Sequence, residues 1–251
     1  MQMRRALIVV GKAPQPGTTK TRLVPPLSAE AAAELYRGFL LDAIHLGLEL
    51  GWDRVSVVHP RDAAAELRRL LPGTVQLMEQ TGAGLGDALA SAFEHHFRAH
   101  FDRVLLIGSD NPTLTATPIH EACAALDDGC DLSIGPSVDG GYYLIGMRAP
   151  HLGVFDDIEW STPRVYAQTL AQARRLQLRT HAVREWYDID EPADLLRLQR
   201  ELETCALEVA PHTRLALDRL TASGSISQLR NQQRRRSTRM LGVRASEALA
   251  D

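Results

Sequence analysis

Residues 103–114, RVLLIGSDNPTL, constrain the fold more than any other stretch. Four apolar residues, 104–107, stop abruptly at Gly108-Ser109-Asp110, and a turn braced by Pro112 follows. A short, wholly apolar run bounded by turn residues is the pattern of a strand buried on both faces, as in a parallel sheet covered by helices. Asp110 stands just past the carboxyl end of that strand. Open α/β sheets bind ligands in the crevice beyond those ends, so a carboxylate carried there on a glycine turn is placed to hold a metal or a substrate. Capping of a helix that begins near Thr115 is the alternative role for Asp110, since Asp is common at such turns.

The rest of the chain repeats the alternation. Strands are expected over Arg5–Val10, Arg54–His59, 74–78, 131–136, 144–147 and 177–183. Helices are expected from an N-cap at Ser28 to about Leu50, and over 63–71, 87–100, 119–126 and 193–201. A further helix runs to about Leu176, led by Trp160-Ser161-Thr162-Pro163 with the proline in its first position. This order predicts an α/β fold: a three-layer, Rossmann-like, mixed but mostly parallel sheet with helices on both faces.

Several turns carry the chemistry. Residues 11–23, GKAPQPGTTKTRL, gather Lys12, Lys20 and Arg22 around Pro14, Pro16 and Gly17, a stiff cationic loop whose backbone can approach a phosphate. It is not a Walker loop, because Thr19 rather than glycine precedes Lys20-Thr21. An exposed basic loop is the plainer alternative. Gln80, Gly82 and Gly84 open the next helix and could bring backbone groups against a flat ring or an anion; a simple tight turn would look the same. His95, His96 and His100 lie on that helix without the acid of a zinc-protease motif and are expected at the surface. Between two later strands, Asp139, Gly140, Gly141 and Tyr142 offer close approach and hydrogen bonds, though a plain hairpin turn would look similar. In Trp186–Pro192, Asp188 and Asp190 are like charges two residues apart and call for a cation or a cluster of donors to offset their repulsion; Asp190 or Glu191 could instead cap the helix beside Pro192.

Charge divides the chain. Residues 204–251 hold eight Arg against four acidic side chains, a net of +4, which leaves −7 on residues 1–203 of the total of −3. One domain over 1–203 and an arginine-rich, disorder-like extension over 204–251 are therefore expected. The three cysteines show no metal or disulfide spacing, and the apolar run at 6–10 is too short for a signal core or a membrane span. A soluble protein of a reducing cytoplasm is the expectation, with oligomeric state left open.

Taken together, KAPQPGTTKTRL, GSDNPTL, SVDGGYYLIG, WST and DIDEPADL resemble the nucleotide-diphospho-sugar transferase superfamily, of glycosyltransferase-A-like fold, over about residues 5–200. They are most similar to the radical-SAM/selenodomain-associated transferase 1 family (DUF2064), also known as arsenosugar-biosynthesis glycosyltransferases. The first loop also resembles phospholactate guanylyltransferases. The resemblance implies that Lys12, Gly17, Lys20 and Arg22 grip nucleotide phosphates, and that Asp110 with Asp188 or Asp190 holds Mg²⁺ or Mn²⁺. Gly108-Ser109-Asp110 departs from the DxD of many glycosyltransferases, and Glu191 replaces the usual threonine before the proline.

The leading expectation is nucleotidyl transfer from a nucleoside triphosphate to a phosphorylated small acceptor, with Lys20, Arg22 and Asp110 in catalytic roles. Transfer of a sugar from a nucleotide sugar to a small acceptor is the alternative. Nucleic-acid binding through the basic tail is distant, for the tail has almost no aromatic residues to stack on bases.

Overall fold

A computed structural model describes residues 3–222 and 224. Its strands are β1 (Arg5–Val10), β2 (Arg54–His59), β3 (Gln76–Glu79), β4 (Arg103–Gly108), β5 (Leu132–Pro136), β6 (Tyr142–Met147) and β7 (Thr180–Ala182). They form one sheet in the order β3-β2-β1-β4-β6-β5-β7. β1 runs parallel to β2 and β4, β2 to β3 and β5 to β7, whereas β6 is antiparallel to both of its neighbours. The reversal follows from the connection, because a turn as short as 137–141 can join only antiparallel strands.

The described helices are α1 (Ala29–Glu49), α2 (Ala64–Leu70), α3 (Leu85–Arg98), α4 (Ala116–Asp127), α5 (Val165–Arg175), α6 (Pro192–Thr204) and α7 (Pro211–Ala222). Successive strand side chains point to opposite faces, so the central strands feed two cores. Leu7, Val9, Leu105 and Ile107 pack with residues of α1, α2, α4, α6 and α7. Ala6, Ile8, Val104 and Leu106 pack with Leu89 and Phe93 of α3 and Ala173 of α5. Three layers result, as the alternation predicted.

Some expectations are corrected. The fold does not close at 203: α7 buries Ala216, Leu217 and Leu220 in the first core. Asp42, buried in α1, accepts the N–H groups of His212 and Thr213 at 2.9 and 2.8 Å, so it satisfies two of the otherwise orphaned donors at the start of α7. Residues from 225 onward, including the arginine-rich run, lie outside the described residues. His96 is not at the surface; it is fully buried, with Nδ1 at 2.8 Å from the Ala92 carbonyl and Nε2 at 2.9 Å from Ser56 Oγ. Burial pushes its imidazole below the ordinary value. His95 and His100 are exposed as expected. Pro163 is not the first residue of α5, which starts at Val165. No helix among the described residues is long and apolar enough to cross a membrane.

Candidate active site

From β1 the chain moves to β2 and β3 on one side, then returns to place β4 on the other side of β1. A crevice opens beyond the carboxyl ends where the strand order reverses, which is where doubly wound sheets place their ligands. Here it is a cleft of about 690 Å³. Among the residues singled out from sequence, Lys12, Lys20, Arg22, Asp110, Asp139, Gly141, Tyr142, Asp188 and Asp190 line it. Gly17, Gln80, Gly82, Gly84 and Gly140 do not.

The first loop is shaped to deliver Lys20. Thr19 is buried, with Oγ1 donating to the Gln15 carbonyl at 2.9 Å, and Lys20 itself adopts a left-handed backbone (φ 50°). Such a conformation is strained for a residue with a Cβ and persists only where the surroundings over-determine it. Here the surroundings are two carboxylates: Nζ lies 2.7 Å from Asp110 Oδ1 and 2.9 Å from Asp190 Oδ1. The side chain is only 4% exposed. Burial by itself would favour loss of the proton, but Asp110 and Asp190 outweigh it and raise the ammonium above its ordinary value. Lys20 therefore remains charged. Neither Asp110 nor Asp190 caps a helix; Thr115 and Glu191 hold those positions, and Asp194 Oδ2 accepts the Glu191 N–H at 2.8 Å.

Asp188 sits deeper. Ser137 Oγ donates to its Oδ2 at 2.6 Å and Asn111 Nδ2 to its Oδ1. Burial, aided by the negative charges of Asp139 and Asp110, pushes its carboxyl up to about 6 against the pull of those hydrogen bonds. The loop that carries it is tied to the β4 turn: the Ile189 N–H donates to the Asp110 carbonyl at 3.0 Å, and Asn111 Nδ2 also donates to the Tyr187 carbonyl at 2.9 Å. Tyr36 of α1 ties down the first loop in a similar way. Its hydroxyl accepts the Lys12 N–H and bonds Ser109 Oγ, both at 3.0 Å.

Tyr36, Asn111, Ser137 and Trp160 are site residues that sequence reasoning missed. Tyr36 occupies an apolar position of an amphipathic helix and reads as core. Asn111, directly after Asp110, was the one with a legible signal: a second polar side chain at the same strand end. Trp160 reaches the cleft by lying on α3, where a Cβ on Gly86 would come within 2.7 Å of Nε1. It meets Tyr142 edge-on at 6.4 Å, and Val10, Leu85, Leu89 and Leu106 extend this apolar wall.

The glycines outside the cleft serve the backbone. Gly140 has φ +89°, and a Cβ there would lie 2.2 Å from the Pro163 carbonyl oxygen; its own carbonyl accepts the Tyr166 N–H at 3.0 Å. It holds the 160–166 segment against the β5–β6 turn. Gly82 has φ +87°, with Asp87 folded so close that a Cβ would fall 2.1 Å from the Asp87 Cβ. Asp87 Oδ2 in turn accepts the Ala83 N–H at 2.7 Å.

The carboxylates offer only hard oxygen donors, the type that Mg²⁺ and Mn²⁺ prefer. As arranged, no three His, Cys, Asp or Glu side chains among the described residues form a ready metal cluster. The Lys20 ammonium nevertheless marks a point within 2.9 Å of two of them, which is a stand-in for a bound cation.

The cleft at this switch point carries a cationic loop on one side and carboxylates opposite. A protein from Desulfovibrio desulfuricans G20 assigned as a nucleotide-diphospho-sugar transferase matches with a TM-score of 0.81 and 30% identity, over 91% of this chain and 99% of its own. The family model described as "Uncharacterized protein conserved in bacteria (DUF2064)" matches residues 43–162. The chain belongs to the nucleotide-diphospho-sugar transferase superfamily and is a transferase. The inositol-1-phosphate CTP transferase from T. maritima shares the fold at 15% identity (TM-score 0.53; 85% of this chain, 96% of that one). So does Rv0371c from Mycobacterium tuberculosis H37Rv, in a complex with manganese, at 14% identity (TM-score 0.51; 80% and 100%). No curated protein matches the chain.

Proposed function

We propose that the protein transfers a sugar from a nucleotide sugar to a small, uncharged acceptor. The observation that carries this reading is the distribution of charge along the cleft. Every Lys and Arg that lines it, Lys12, Lys20 and Arg22, comes from the loop after β1; the opposite wall presents Asp139, Asp188, Tyr142 and Trp160. A phosphorylated acceptor would meet the Asp139 carboxylate there with no Lys or Arg lining that wall to pair with, and like-charge contacts in a partly buried site are costly. A neutral hydroxyl compound meets hydrogen-bond acceptors and aromatic faces instead.

In this reading Lys12 and Arg22 bind the donor diphosphate, Arg22 through a two-pronged contact, and Lys20 stabilises the charge that develops on it as the sugar leaves. Asp110, Asp188 and Asp190 hold the divalent ion, which when bound adds positive charge beside the diphosphate. The exposed Asp139, whose Oδ1 accepts the Gly141 N–H at 2.9 Å, orients an acceptor hydroxyl, while Trp160 and Tyr142 shield the reacting centre from water. The relative from D. desulfuricans, assigned to sugar-nucleotide chemistry, supports the same donor class.

Nucleotidyl transfer is the second reading, supported by the three loop cations, a number suited to a triphosphate. The two are separated by products. Nucleoside diphosphate released from UDP-, GDP- or dTDP-sugars in the presence of Mn²⁺ or Mg²⁺ is the expected result; pyrophosphate released from a nucleoside triphosphate, with nucleotide sugars inert, would overturn it.

A further inference from the structure

Lys20 and a divalent ion make the same demand on the same oxygens. Asp110 Oδ1 and Asp190 Oδ1 lie 2.7 and 2.9 Å from the Lys20 ammonium. The ammonium is held there by a left-handed backbone and rests 5.7 Å from the centre of the Phe39 ring. The residue type is informative too. The chain has 26 arginines and only two lysines, Lys12 and Lys20, and both line this cleft. Arginine brings a rigid planar fork, whereas an ammonium is a compact point charge on a flexible stem, the side chain that most nearly imitates a small cation and can swing away from it.

We propose that Lys20 is a resident counter-ion of the metal site. It neutralises Asp110 and Asp190 while the cleft is empty, competes with the divalent ion for them, and turns to the donor phosphates once displaced. The free protein then holds a divalent ion weakly, and the ion and the donor diphosphate favour each other's binding. The carboxylates never face one another uncompensated, which a half-buried acidic cluster would otherwise have to bear. This inference rests on the assignment of Asp110 and Asp190 as metal-binding residues, and its tests fail differently from that assignment.

Two measurements on the full-length protein decide it. With so few lysines, acetic anhydride labelling read by mass spectrometry is clean: exposed Lys12 serves as the internal control and buried Lys20 is expected to be protected. Saturating Mn²⁺ alone should raise Lys20 labelling by roughly tenfold, within the usual range for coupled sites, and leave Lys12 unchanged. Mn²⁺ titration followed by electron paramagnetic resonance should show Lys20→Met binding the ion roughly tenfold or more tightly than wild type without nucleotide. Lys20→Gln should move in the same direction. Mn²⁺ binding that leaves Lys20 labelling unchanged, or Lys20 variants whose affinity is equal to or weaker than wild type, overturns the counter-ion role and leaves the metal site standing. Absence of Mn²⁺ binding in every variant, with or without a nucleoside diphosphate, overturns the metal assignment and this proposal with it.

Discussion

The loops after β1 and β3 look alike on paper, since each follows a parallel strand, carries glycine, and reads as a phosphate or ring contact. Their places in the sheet make them different. β1 is central and adjoins β4, so its loop opens onto the reversal in strand order and delivers Lys12, Lys20 and Arg22 into the cleft. β3 is an edge strand, and Gly82 and Gly84 remain exposed outside the cleft; the helix they open contributes Leu85 and Leu89 instead. Glycine in the second loop answers a need of the chain itself, the close approach of Asp87. A glycine-bearing turn thus reaches the cleft only where the topology puts it beside a second strand end.

The largest expected effect lies in the first loop. Lys20→Ala removes a charge facing the donor and leaves Asp110 and Asp190 without their partner, and kcat/KM should fall by about a hundredfold or more. Asp110→Asn should be comparably severe with the fold intact by circular dichroism, because size is kept and only the charge is lost. Wild-type rates in both variants would mean that the cleft does not house the chemistry.

Arg22→Ala comes next. For sugar transfer, the donor KM should rise roughly tenfold with kcat changed less, and Arg22→Lys should recover part of the loss. A fall in kcat with an unchanged KM would instead point to charge that builds on a departing pyrophosphate, and so to the nucleotidyl reading.

The second loop should respond in stability rather than rate. Gly82→Ala places a Cβ in a left-handed backbone against Asp87, and should cost about 1–3 kcal/mol in urea unfolding while leaving the activity of the folded protein unchanged. Smallest of all is Gly84→Ala. Gly84 is extended (φ −160°) with open space where a Cβ would go, so it should lose at most about 1 kcal/mol as a poorer helix N-cap. A donor KM that rises several-fold in either glycine variant would restore the second loop as a nucleotide contact.

Much of this was legible from residues 103–114 and their counterparts. Apolar runs ending in glycine identified β1 and β4, and Ser28 does accept the Ala31 N–H at 3.1 Å as the cap of α1. These are local signals, set by backbone sterics and by burial on both faces. The reversed β6 was not legible by strand pattern, because an apolar run reads the same in either direction; its sense follows from the short turn at 137–141, and its place between β4 and β5 came only from the structure. Nor was the burial of His96, which depends on the Ser56 hydroxyl arriving from a strand 40 residues away.

By itself, then, the sequence determined the layered α/β class, the loop cations and the presence of carboxylates at strand ends, since periodicity and turn chemistry act within a few residues. Tertiary structure alone decided which carboxylates meet which cation. Lys20 and Asp190 are 170 positions apart, and their 2.9 Å contact exists only because β1 and β4 are neighbours and the Asp188 loop is bonded to the β4 turn. The same is true of the fold's end: Thr213, Ala216, Leu217 and Leu220 recur at helical spacing on α7, but only the tertiary structure shows that this face packs into the first core, with Asp42 of α1 accepting the first N–H groups of the helix.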